Sequence, residues 1–101
     1  MRMMMLVQFP AEPFNTLARN GTVGATMKKI LDDAKPEAAY FSERDGKRGC
    51  VLIVDVPGGT DIPRQAEPWI LSFNAEVEFR NCMLPEELGK ANLEALGKKW
   101  G

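Results

Sequence analysis

Ala38-Ala39-Tyr40-Phe41-Ser42-Glu43-Arg44-Asp45-Gly46-Lys47-Arg48-Gly49-Cys50-Val51-Leu52-Ile53-Val54 is the stretch on which the reading of this 101-residue chain turns. Asp45-Gly46 between two apolar runs is the signal of a tight hairpin, because both turn residues must tolerate positive φ. Ala38–Arg44 is its first strand and Gly49–Val56 its second, and Lys47-Arg48 leaves open a loop longer than two residues. Cys50 to Val54 are apolar on both parities, the pattern of a strand covered on two faces and therefore central. An antiparallel sheet with further strands beside this one follows.

Working outward, Arg2–Phe9 is a short, nearly unbroken apolar run stopped by Pro10 and Pro13, which reads as another buried strand. From Pro13 to Ala34 the period changes. Val23, Met27, Ile30, Leu31 and Ala34 recur at helical spacing, and Asn20-Gly21 splits off a lead-in helix ending near Arg19. Lys35-Pro36 closes the helix, since a residue before proline is pushed out of the α region. Beyond the hairpin, Pro57-Gly58-Gly59 breaks the strand, and Thr60 or Asp61 caps a helix whose expected buried face is Ile62, Ala66, Ile70 and Phe73. Pro68 is expected to bend or divide it. Ala75–Met83 alternates, Val77 and Phe79 against Glu76, Glu78, Arg80 and Cys82. Leu84-Pro85-Glu86-Glu87 then opens one last helix with Leu88, Leu93, Leu96 and Trp100 as its apolar side. The order βαββαβ plus a helix predicts a single α+β domain over residues 1–101. Its antiparallel sheet has order 4-1-3-2, with two helices on one face.

Composition removes several functions. A net charge of −1 supplies no basic field for nucleic acid, and no binding to it is expected. With no histidine, the chain lacks a histidine-ligated haem, a His-containing zinc site and every Ser-His or Cys-His pair. No metal or other cofactor is expected. Cys50 and Cys82 are too few for a disulfide framework, and strand one would separate them, so a reducing cytoplasmic setting is expected. The apolar Met1–Val7 run is too short for a membrane span, and no membrane association is expected.

Strands one and three are apolar on both parities, so the sheet face away from the helices carries an uncovered apolar patch that pairing with a second copy would bury. Met4–Pro10, Lys35–Phe41, Ala66-Glu67-Pro68-Trp69, Phe73–Phe79 and Leu84–Leu88 together cover most of the chain. In these stretches it resembles the small ferredoxin-like proteins of the dimeric α+β barrel superfamily. The resemblance implies a homodimer through the open sheet face. By analogy with a superfamily that includes monooxygenases and isomerases, it also implies cofactor-independent work on a small organic molecule.

Individual residues carry two readings each. Glu76, Glu78 and Arg80 share a strand face. They would hold or deprotonate a substrate in a partly desolvated chamber, or would protect an edge strand and form salt bridges between subunits. Tyr40 would orient a ligand or donate a proton, with Gln8 as a neutral polar contact, or Tyr40 packs and hydrogen-bonds locally. Trp69, off the expected helix face, would reach a groove or partner, or fill the bend at Pro68. Two functions follow. One is a small-molecule enzyme or binder with a cavity between sheet and helices, using Tyr40, Glu78 and Arg80 in catalysis and Gln8, Glu76 and Trp69 in ligand contact. The other is a non-catalytic dimeric interaction or structural module.

Overall fold

The central strand of the sheet's long apolar run is matched by a second one beside it. In the computed structural model, which describes residues 1–101, β1 (Arg2–Gln8) pairs with β3 (Lys47–Asp55) on one side and β4 (Glu76–Asn81) on the other. β2 (Ala38–Arg44) pairs with the far edge of β3, and all contacts are antiparallel. The order β2-β3-β1-β4 is 4-1-3-2 read from the opposite edge. With α1 (Phe14–Arg19) and α2 (Val23–Ala34) after β1, and α3 (Asp61–Phe73) after β3, this is a ferredoxin-like α+β fold.

The hairpin turn is the short one. Arg44 pairs directly with Lys47, and Asp45 and Gly46 adopt φ of 54° and 75°, so the longer loop through Lys47-Arg48 does not form. Two successive positive φ values match the right-handed twist of the strands. Upstream, Asn20-Gly21 separates α1 from α2 as expected, with Gly21 at φ 74°. Lys35 leaves α2 in the left-handed region ahead of Pro36.

The core lies between the sheet and its helices. Met5 and Val7 of β1, Leu52 and Val54 of β3, and Trp69 and Phe73 of α3 are buried together with Phe9. Phe9 meets Phe73 edge-on at a centroid distance of 5.0 Å, and Trp69 stacks on Phe73 at 6.1 Å. Such pairs add to the energy of their area burial. Two expectations for α3 change here. Pro68 lies inside one undivided helix, because the missing N–H forfeits a single bond while Ala66, Trp69 and Phe73 hold both sides of it in the core. The buried face is Ala66, Trp69 and Phe73, and Ile70 turns partly outward.

The last segment also differs from expectation. It forms two short helices, α4 (Pro85–Gly89) and α5 (Leu93–Trp100), with Asn92 between them at φ 52° accepting from the Ala95 amide. Gly89 is a poor helix former and Asn92 a good cap, so the break is local chemistry. No residue of either helix is buried. The arm projects, giving a longest dimension of 59 Å and a radius of gyration of 17.0 Å. A compact chain of this length would have a radius near 13 Å, or about that. Arg2 ties the arm's root to the sheet through ion pairs with Glu87 at 2.9 Å and Glu37 at 3.2 Å.

Candidate functional site

Cross-strand register decides which side chains meet, because directly paired residues in a sheet point to the same face. Three rows cross the face away from the helices. Ala38, Ile53, Met4 and Arg80 form one; Tyr40, Val51, Leu6 and Glu78 the next; Ser42, Gly49, Gln8 and Glu76 the third. Met4, Leu6, Val51 and Ile53 are half-buried at the centre, with Tyr40 and Ser42 exposed on one side and Glu76, Glu78 and Arg80 on the other. An apolar floor between two polar margins results. At its far end Arg2, on the same face of β1, meets Glu87 of α4 at 2.9 Å.

A cleft of about 490 Å³ opens at the hairpin end of this face. Leu6 and Val51 line its floor, Gln8, Glu76 and Glu78 one wall, and Ser42, Arg44 and Lys47 the other. Gln8 donates from Nε2 to the Arg44 carbonyl at 3.2 Å, which spans β3 and holds the amide in place. Gly49 sits in the row because a Cβ there would come within 2.6 Å of the Val7 carbonyl oxygen. Arg48 instead turns to the helix side, donating to Asn15 Oδ1 at 2.7 Å and lying 4.3 Å above the Phe14 ring.

Arg80 donates to both Glu78 carboxylate oxygens, from Nε at 3.0 Å and from a second nitrogen at 3.4 Å. These bonds, with the attraction of the guanidinium and a smaller pull from Arg44, hold the Glu78 carboxyl below its ordinary value. A carboxylate so stabilised is a weak proton acceptor. Glu76 makes no ion pair in the chain.

Five of the six residues singled out from sequence, Gln8, Tyr40, Glu76, Glu78 and Arg80, share the open face. Only Gln8, Glu76 and Glu78 line the cleft. Tyr40 and Glu78 end the same cross-strand row, about 14 Å apart at the backbone across three strand spacings. One protomer therefore does not bring Tyr40 and the Glu78–Arg80 pair onto one reacting atom. Trp69 stands apart from all of them. It is 0 % exposed on the helix side, among Phe9 and Phe73, and its Nε1–H has no hydrogen-bond partner. The expected cavity between sheet and helices is thus corrected: aromatic and aliphatic side chains fill that space, and the open volume lies on the opposite face. Arg44 and Lys47 were not singled out as contacts. The tight Asp45-Gly46 turn was the available signal, since it places them opposite each other on one face.

Elsewhere, no group of three or more Cys, Asp and Glu side chains gathers as metal ligands would. No helix is long and apolar enough to cross a membrane.

No family model matches the sequence, and no curated protein does either. Among solved structures the chain is similar to a de novo designed protein, Ferredog-Diesel. The identity is 15 % and the TM-score 0.45, over 80 % of this chain and 85 % of that one.

Proposed function

We propose that this protein is a homodimeric small-molecule binder whose two open sheet faces close a chamber between them. The observation that carries the reading is the face itself: an apolar floor of Met4, Leu6, Val51 and Ile53, half-buried, between hydrogen-bonding margins. Only 12 of 101 residues are buried in the single chain, so a partner adds core that the monomer lacks. The cleft volume falls in the range of about 300–1,000 Å³ usual for organic ligands. Its ligand is a small molecule with an apolar body on Leu6 and Val51 and a polar end met by Gln8, Ser42, Glu76 and Arg44. Binding is favoured over catalysis because Glu78 is a weak base beside Arg80. In a paired face, Tyr40 of one copy meets the ligand from across the chamber.

Native mass spectrometry of the purified protein tests this directly. A dimer retaining a small organic molecule is expected, with Tyr40→Phe and Arg44→Ala releasing it while the dimer persists. A monomer at micromolar concentration overturns the reading. One observation favours a second: the Glu78–Arg80 pair satisfies its own charges, as residues at a structural dimer contact would. A non-catalytic dimeric module is then the function, and Arg80→Ala weakens the dimer without any retained molecule being found.

A further inference from the structure

The open-face cleft sorts its polar groups by sign. On the β4 side Arg80 takes up Glu78 at 3.0 and 3.4 Å, which leaves Glu76 as the free carboxylate. Gln8 stands beside Glu76 in the register. A carbonyl oxygen only accepts, so the Gln8 amide nitrogen faces the Arg44 carbonyl, and its Oε1 is left over as a second acceptor. The hairpin side is a wall of donors. Lys47 has no ion pair, Arg44 meets only Asp45 at 3.8 Å, and Ser42 offers a hydroxyl. Glu43 pairs in register with Arg48 on the helix side and adds no acceptor to this face. Between the two walls lie Leu6 and Val51.

Covering this face with a second sheet takes water away from Glu76 and Lys47 together. A charge desolvated without a partner is costly, and far less so when a hydrogen-bonded group of opposite sign meets it. An anionic guest satisfies Lys47 and leaves Glu76 unpartnered. A cationic guest does the reverse. A guest with one charge of each sign satisfies both walls and adds no net charge to the chamber.

Spacing sets the length of that guest. Glu76 and Lys47 are two strand spacings and one two-residue step apart, about 12 Å at the backbone, and Glu76 and Arg44 about 16 Å. Side chains stand roughly perpendicular to a sheet, so the charged heads keep nearly these separations. A hydrogen bond of about 2.9 Å at each end leaves about 6–10 Å between the charges of the guest. Hydrocarbon of that span lies on Leu6 and Val51.

We propose that the ligand of the open-face cleft is an amino carboxylate whose two charges are held apart by an apolar chain, its ammonium on Glu76 and Gln8 Oε1 and its carboxylate on Lys47 and Arg44. The assignment rests on the ligand-binding reading above and names the ligand's chemical class. Calorimetric titration of the full-length protein with ε-aminocaproate, caproate, hexylamine and glycine tests it. ε-Aminocaproate is expected to bind at least about tenfold tighter than caproate or hexylamine, which each lack one charged contact. Glycine, whose charges lie too close together to span the cleft, is expected not to bind. Glu76→Gln is expected to weaken ε-aminocaproate and hexylamine without weakening caproate, and Lys47→Met to weaken ε-aminocaproate and caproate without weakening hexylamine. Equal binding of the three longer probes, or variants that weaken all three alike, overturns the assignment. Native mass spectrometry of the same samples separates its failure from that of the reading beneath it. A dimer that retains some other organic molecule and refuses all the probes overturns the amino carboxylate alone, whereas a bare protein that binds none of them overturns the binder as well.

Discussion

Cys50 shows at the scale of one residue how placement sets chemistry. It lies on the helix side of β3, buried, and burial pushes its thiol up to about 12 from 9.0. Below 9.0 the thiol is protonated in both folded and unfolded chains and has no effect on stability. Above it the unfolded thiol loses its proton first, so stability falls as pH rises from 9.0 toward about 12. The expected slope is at most about 1.4 kcal/mol per pH unit. Urea unfolding of the wild type and Cys50→Ala between pH 8 and 11, or roughly that range, checks it. The variant is expected to show the shallower alkaline loss, and equal slopes would refute the assignment. Cys82 is partly exposed, so a thiol reagent is expected to modify one cysteine in the native protein and two in urea. Sequence alone identified Cys50 as an apolar thiol. It left Trp69 open between a groove or partner and the space at Pro68, because Ala66 is compatible with either Ile70 or Trp69 as its neighbour one turn on, and only packing against Phe9 and Phe73 selects the ring.

At the scale of elements, the β1–β3 pairing and the hairpin turn position the cleft. Gly49 brings β3 against β1 where a side chain would strike the Val7 carbonyl. Gly49→Ala is expected to cost about 1–3 kcal/mol in stability, the usual penalty of overpacking, measured as a lower urea midpoint with an unchanged m-value. A neutral result would mean that the strands separate there freely. The elements themselves were legible because period-2 and period-3.6 patterns alternate cleanly between Pro and Gly breaks. Pro68 does not divide α3 for a physical reason: one lost hydrogen bond is a local cost, and the burial of three side chains around it is a tertiary gain. The last helix was misread for the opposite reason, since its apolar residues have no intrachain surface to hold Gly89 and Asn92 in one continuous turn.

The whole molecule has a small core, an open apolar face and an arm with no buried residue, and the proposed pairing would cover the face. If pairing and folding are linked, the melting temperature rises with protein concentration. A tenfold increase adds up to about 1.4 kcal/mol per dimer, read as a shift of a few degrees by calorimetry. A melting temperature independent of concentration at micromolar levels, with a monomer in sedimentation, would remove the basis of the chamber. The open-face cleft belongs to this scale as well. Its residues come from the β2–β3 hairpin and from β1 and β4, which are distant from it in sequence, and their meeting depends on register across all three pairings.

The sequence by itself determined the order of elements, the βαββαβ topology and that Glu76, Glu78 and Arg80 share one face of their strand, because side-chain periodicity is a local property of the backbone; which side of the sheet that face looks to was left to the structure. Tertiary structure alone decided that the open volume is on the bare sheet face, that Trp69 belongs to the core, that Tyr40 stands a sheet's width from Glu78, and that α4 and α5 project. Each of these depends on what lies opposite a residue in space, and close packing between distant segments settles that where local pattern does not.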